Sequence, residues 1–365
     1  MTINVTKAYL PPFAEYTTYL QGIWERGWVT NNGPLVQGLE AELSQYLDGA
    51  QVQFTGNGTI ALQIAIKALG LSGEVITTPF SYVATTTAIL WENCTPVFVD
   101  IEARTFCIDA AKIEAAITPR TTAILATHVY GYPCDVQAIE LIARRHNLKV
   151  LYDGAHAFGS RIHGRSLLSY GDLTACSFHA TKLFHTVEGG AIVTNNEELA
   201  RKIWLYKSFG HIGDEYFTLG INGKNSEFHA AMGLCNLPRV AGFIDQRREL
   251  AALYRQELDG LPLQFPEPIE ESLQYNYAHF SVLFESESRL LLVKAGLAAQ
   301  MVNTRRYFFP SLNRLPYLTG APCPISEDIS RRVLCLPFYQ ELTFDQVRWI
   351  SRLVRNFHGL AGGTF

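Results

Sequence analysis

A chain of 365 residues is longer than a single small domain requires and long enough to bury two hydrophobic cores. Its 48% hydrophobic and 18% charged residues describe an ordinary globular protein. A formal net charge of -4 with no run of Lys or Arg gives no electrostatic reason to expect nucleic acid or anionic lipid as the main partner. The 7 cysteines are odd in number, scattered and without a C-x-x-C pair, which indicates neither a zinc knuckle nor a disulfide framework. Met1 to Leu10 lacks the pattern of a signal peptide, and no apolar run reaches membrane-spanning length. The expectation is a soluble cytoplasmic protein with no membrane or nucleic-acid partner.

In chain order, the first informative element is a helix predicted from Ile60 to Leu69, opened by Thr55-Gly56-Asn57-Gly58-Thr59. Glycine allows close backbone approach, and a helix start offers unpaired N–H groups and a positive dipole end, which together suit a phosphate. Gly56, Gly58 and Ala61 also fit G-x-G-x-x-A, a variant of the dinucleotide fingerprint. The following strand, however, runs into Pro79-Phe80 rather than ending at the acidic residue that a ribose needs. A glycine turn that merely caps a helix is the plainer alternative.

Apolar runs predict strands over 74–78, 95–100, 122–127, 149–153, 173–178 and 190–194, and Asp135 is expected to N-cap an intervening helix. Continuous apolar strands alternating with amphipathic helices imply an α/β fold whose sheet is covered on both faces. The last two strands lie too close for a helical crossover, so they are expected to run antiparallel. A long helix at about 238–258 carries Val240, Phe243, Ile244, Arg247, Leu250 and Tyr254 along one stripe. It is read as the link between a large domain (1–240) and a smaller α+β domain (241–365).

Two strand ends carry chemistry. Asp153, in Tyr152-Asp153-Gly154-Ala155-His156, closes a strand where α/β sheets bind ligands, although a turn or helix-cap Asp has the same local appearance. Lys182, in Ser177-Phe178-His179-Ala180-Thr181-Lys182, follows an apolar strand in a setting where desolvation lowers an amine's pKa and makes it nucleophilic. A lone Lys in a loop is ordinarily a surface residue. Jointly, an anion-binding helix start, a strand-end Asp and a strand-end Lys, in that order, form a constellation for pyridoxal 5'-phosphate (PLP).

At these residues the sequence resembles the DegT/StrS-type nucleotide-sugar aminotransferases, which have the fold-type I architecture of PLP-dependent transferases. Landmarks extend from Asn32-Gly33-Pro34 to Leu336-Pro337-Phe338. The most specific are Ser177 to Lys182 in the family's S-F-x-x-x-K positions and Glu188-Gly189-Gly190-Ala191 in its E-G-G-A. The resemblance implies a mostly parallel mixed sheet between helices and a smaller C-terminal domain. It implies PLP held as a Schiff base by Lys182, with Asp153 on the ring nitrogen, Gly58 and Thr59 on the phosphate, and Ser177 as a further cofactor-binding residue. Tyr82 would stack on the ring, His156 would lie beside it, and Asn222 would reach the phosphate of a partner subunit in a homodimer. Where the family often has N-Y-R-M-S, this chain reads Asn222-Gly223-Lys224-Asn225-Ser226, and Gly154 replaces the usual Ala.

The Ser-Phe-His-Ala-Thr-Lys run most resembles members that aminate C4 of a dTDP-linked 4-keto-6-deoxyhexose, with glutamate as donor and 2-oxoglutarate as product. His185 and Arg305-Arg306-Tyr307 are the expected substrate contacts, the arginines meeting the sugar nucleotide's phosphates. Amination at C3 of the sugar or of another keto-polyol, a nucleotide-binding oxidoreductase resting on Gly56-x-Gly58, and a non-catalytic regulator with the same fold are the alternatives. Dehydration at C3 calls for His at the Lys182 position.

Overall fold

A computed structural model describes residues 2–359, apart from 269 and 319. Its centre is a seven-stranded sheet of β1 (Gln51–Thr55), β2 (Glu74–Thr77), β3 (Thr95–Phe98), β4 (Thr121–Thr127), β5 (Lys149–Asp153), β6 (Leu173–Ser177) and β7 (Gly190–Thr194). The spatial order is β1-β7-β6-β5-β4-β2-β3. The five strands from β6 to β3 pair in parallel, whereas β7 runs antiparallel to both β6 and β1, as the short β6–β7 spacing predicts. The edge strand β1, with its alternating Gln51-Val52-Gln53-Phe54, was not among the predicted strands. Pro96 is accommodated because β3 is the other edge, where a missing N–H costs no ladder bond.

The sheet is buried on both faces, as its sequence demands. Val75, Ala123, Leu125, Leu151, Ala175 and Ile192 pack into one cluster with helix α1 (Gly58–Ala68). Their neighbours Ile76, Ile124, Ala126, Val150, Tyr152, Cys176, Ala191 and Val193 face a second cluster, with helix α2 (Val136–His146) and the start of α3 (Val240–Leu258). This is the period-two alternation of a strand applied to a sheet with two cores. Asp135 caps α2 as expected, accepting the Ala138 N–H at 2.9 Å, and the basic triplet Arg144, Arg145 and His146 closes the helix at the negative end of its dipole.

Along α3, Val240, Phe243, Arg247, Leu250 and Tyr254 are buried on one stripe, and Ile244 is half-buried. Beyond α3, Leu250, Tyr254, Val282, Leu290, Val293, Leu336, Val347 and Ile350 form a separate hydrophobic cluster. It surrounds the antiparallel pair β8 (Phe280–Leu283) and β9 (Val333–Leu336). Ile3 belongs to the same cluster, and its N–H donates to Met301 O at 2.9 Å. Among the described residues no helix is long and apolar enough to cross a membrane. All 7 cysteines are buried and free.

Candidate active site

The C-terminal ends of β5 and β6 and the N-terminus of α1 open on one cavity of about 700 Å³. Gly58, Thr59, Tyr82, Asp153, His156, Ser177, Lys182, Arg305 and Tyr307 all line it. Asn57 caps α1, its Oδ1 accepting the Ile60 N–H at 2.8 Å. The amides of Gly58 and Thr59 have no protein acceptor among the described residues. Gly58 is required sterically, because a Cβ there would lie 2.9 Å from Ser177 Cβ. The helix mouth and the end of β6 can meet this closely only when one of them carries no side chain.

Asp153 is 5% exposed. Its Oδ2 accepts the Thr85 hydroxyl at 2.6 Å and its Oδ1 the Ala155 N–H at 3.0 Å. Burial raises its pKa, opposed by those two hydrogen bonds and by the Lys182 charge. Lys182 sits in the turn after β6, its N–H donating to His179 O at 2.9 Å, and is half-buried. Burial lowers the pKa of its ammonium, with Asp153 and Cys176 acting the other way. A desolvated amine and a buried carboxylate therefore face one space, each lacking a full counter-charge.

A model of the DegT/DnrJ/EryC1/StrS aminotransferase family matches residues 14–355. The chain belongs to this family. It is 44% identical over 363 residues to a dTDP-4-amino-4,6-dideoxy-D-glucose transaminase of Shigella dysenteriae, covering 97% of this chain and 98% of that one. A transaminase of the same description from Escherichia coli is 40% identical over 367 residues, with 97% and 98% covered. Among solved structures, DesI in the presence of its TDP-sugar product matches with a TM-score of 0.93 at 34% identity, over 98% of this chain and 93% of that one.

The family's cofactor, PLP, fits the residues present. Asp153 is a buried carboxylate with two neutral donors and so has capacity for a cation, which a protonated ring nitrogen would supply. His156 is 8% exposed, and its Nδ1 is buried without a partner. The unpartnered amides at the mouth of α1 suit a phosphate, and the helix mouth can sit this close to Ser177 at the end of β6 because residue 58 has no Cβ. Tyr82, 60% exposed, stands at the cavity.

Two expected residues lie elsewhere, and a third, Asn222, is one expected at a partner subunit's site. His185 is a core residue, 2% exposed; its Nε2 contacts Tyr9 O at 2.8 Å and its Nδ1 accepts the Val187 N–H at 3.2 Å. Closeness to Lys182 in sequence misleads here, because the chain turns inward directly after Lys182 and buries Leu183, Phe184 and the imidazole. Arg306 is likewise no cavity residue. Its guanidinium lies over the Phe309 ring at 3.6 Å and pairs with Glu287 at 2.7 Å, because adjacent residues of an extended segment point to opposite sides. Asn222 is exposed, bridges to Ser208 and does not line this chain's own cavity. Conversely, the sequence reading omitted Thr85, which orients Asp153, and His279 and Phe308, which line the cavity. Phe308 stacks on His156 with 5.6 Å between centroids. No local motif marks any of the three.

Proposed function

We propose that the chain transfers an amino group from glutamate to C4 of a dTDP-linked 4-keto-6-deoxyhexose, producing a dTDP-4-amino-4,6-dideoxyhexose. The observation that carries this reading is the convergence of Lys182, Asp153 and the mouth of α1 on one cavity, joined to the names of the relatives above. When bound, PLP supplies an electron sink and carries the amino group from one substrate to the other.

Lys182 would anchor the cofactor, and its free amine would move the proton to and from the substrate's reacting carbon. Its desolvation matters for this task, because a fully solvated lysine is almost wholly protonated at neutral pH and has no lone pair with which to take a proton. Asp153 holds the proton on the ring nitrogen, and the Thr85 hydroxyl holds Asp153. Gly58 and Thr59 bind the cofactor's phosphate, Ser177 packs against that helix mouth, Tyr82 covers the ring, and His156 lies beside it. Arg305, exposed at the cavity's rim, and Tyr307 meet the sugar nucleotide, the guanidinium taking its diphosphate.

The working unit in this reading is a cytoplasmic homodimer with shared sites. Asn222 supports it, being exposed away from its own cavity and free to reach a partner's phosphate.

The test is to incubate the protein with PLP, glutamate and dTDP-4-keto-6-deoxyglucose and to characterise the product by mass spectrometry and NMR. Amine at C4 with release of 2-oxoglutarate is the expected outcome. Absence of aminated sugar, or an amine at C3, overturns the reading.

A further inference from the structure

His279 is placed by two clamps and so far has no task. On one side, Asn276 donates Nδ2 to His156 O at 2.7 Å and to Phe158 O at 2.8 Å, tying its segment to the loop after β5. On the other, Arg247 of α3 donates to Tyr277 O at 3.2 Å and to Ala278 O at 3.1 Å, with Gln340 Oε1 accepting from Nε and from the second terminal nitrogen. Arg247 is 3% exposed and has no carboxylate partner among the described residues; burial brings its pKa down to about 10. A buried guanidinium held by neutral acceptors and the Phe338 ring, with no carboxylate, is costly to desolvate. The fold bears that cost at the backbone immediately before His279.

His279 then enters the cavity that holds Lys182, Asp153 and Arg305. Its ring is edge-on to His156 at 4.7 Å and to Tyr307 at 5.5 Å, centroid to centroid. A narrower recess is lined by Lys182, His156 and His279 together, which places the imidazole near the amine. Unlike His128 and His185, whose rings bond to backbone groups, His279 has no hydrogen-bond partner among the described residues. Burial, with the Lys182 and Arg247 charges adding to it, takes its pKa down to about 3. At neutral pH the ring therefore offers one donor and one acceptor and no charge.

Arg305 stands on the same small sheet. It bridges to Cys335 of β9, and Cys335 pairs with Ser281 of β8, two residues after His279. One sheet thus presents a cation and a neutral donor–acceptor pair to one cavity. A diphosphate matches the first and a sugar hydroxyl the second.

We propose that His279 is a specificity-determining residue that hydrogen-bonds a hexose hydroxyl close to the carbon being aminated. The proposal rests on the nucleotide-sugar reading above.

The experiment compares wild-type holoenzyme with His279→Phe and His279→Gln, following the glutamate and ketosugar half-reactions separately through the cofactor's absorbance. A site group left unpaired costs roughly 10–100-fold, so His279→Phe is expected to reduce kcat/KM for the ketosugar by that factor more than for glutamate. His279→Gln, which restores a donor and an acceptor, recovers part of the loss. Deoxy analogues of the ketosugar supply the cycle partner: one lacking the contacted hydroxyl is a poorer substrate for wild type but not for His279→Phe. Equal losses in both half-reactions, or unaltered discrimination against every deoxy analogue, overturn the role of His279 while leaving the activity in place. A wild-type protein that aminates no nucleotide sugar overturns the underlying reading instead.

Discussion

The hydroxyl of Thr85 donates to the buried carboxylate of Asp153 at 2.6 Å, and it stands at the end of a chain of hydroxyls. Thr127 donates to Ser81 at 3.1 Å, and Ser81 lies 2.7 Å from Thr85. The chain links the ends of β4 and β5 to the first turn of the helix Val83–Trp91, so the carboxylate is oriented by three separate elements. Thr85→Val removes a hydrogen bond to a charged group, worth about 1.5–3 kcal/mol. We expect kcat to fall by roughly 10–100-fold with the cofactor still bound. The acid limb of the pH–rate profile should move to higher pH, because Thr85 opposes the rise that burial imposes on Asp153. An unshifted limb with an unchanged kcat would remove Thr85 from the account.

Gly58→Ala should weaken cofactor binding specifically. The new Cβ meets Ser177 Cβ at 2.9 Å, so either the helix mouth or the end of β6 must move, at about 1–3 kcal/mol for an overpacked contact. The pair Gly58→Ala with Ser177→Gly relieves the clash and should recover most of the affinity. Cofactor titration by absorbance measures both; a double variant no better than the single one would show that Ser177 is not the obstacle.

Adjacent arginines are expected to behave differently. Arg305→Ala should raise KM for the sugar nucleotide with little change in thermal midpoint, since the side chain is exposed at the cavity. Arg306→Ala loses the stack on Phe309 and the Glu287 pair, so it should lower the thermal midpoint and spare KM. His185→Ala, which breaks contacts to Tyr9 and Val187, belongs with Arg306. Steady-state kinetics alongside melting curves separates the two groups, and a KM effect at Arg306 would contradict the placement.

Acid should destabilise the fold through two imidazoles, His128 in the core and the half-buried His279 at the cavity. Burial takes His128 and His279 down to about 3. An unfolded imidazole titrates near ~6.5, so between these values only the unfolded chain takes up the proton. Stability is whole above ~6.5 and is lost as pH falls toward the folded value, at about 1.4 kcal/mol per pH unit for each group. His128→Phe removes one such proton. Its denaturant-unfolding free energy should therefore change less between neutral pH and pH ~5 than that of wild type. An identical pH slope would refute this.

Much of the large sheet was legible because burial on both faces leaves continuous apolar runs. β1 escaped because an edge strand with alternating glutamines lacks that signature. The placement of the candidate site residues was legible where it follows from position on their own element: Asp153 at a strand end, Lys182 just beyond one, Gly58 in the first turn of a helix. It was illegible where tertiary contact assigns the role. His279 owes its place to Arg247 and Asn276, and Thr85 to a neighbouring strand end, neither of which leaves a mark in local spacing. His185 and Arg306 were misplaced for the converse reason, since proximity along the chain does not say which way a side chain points.

The most direct test of the central claim is to reduce the holoprotein with borohydride, digest it and locate the cofactor by peptide mass. One cofactor-derived adduct is expected, on the peptide carrying Lys182, together with loss of turnover and of visible absorbance in Lys182→Ala. An adduct on another lysine, or near-normal turnover in Lys182→Ala, would contradict it.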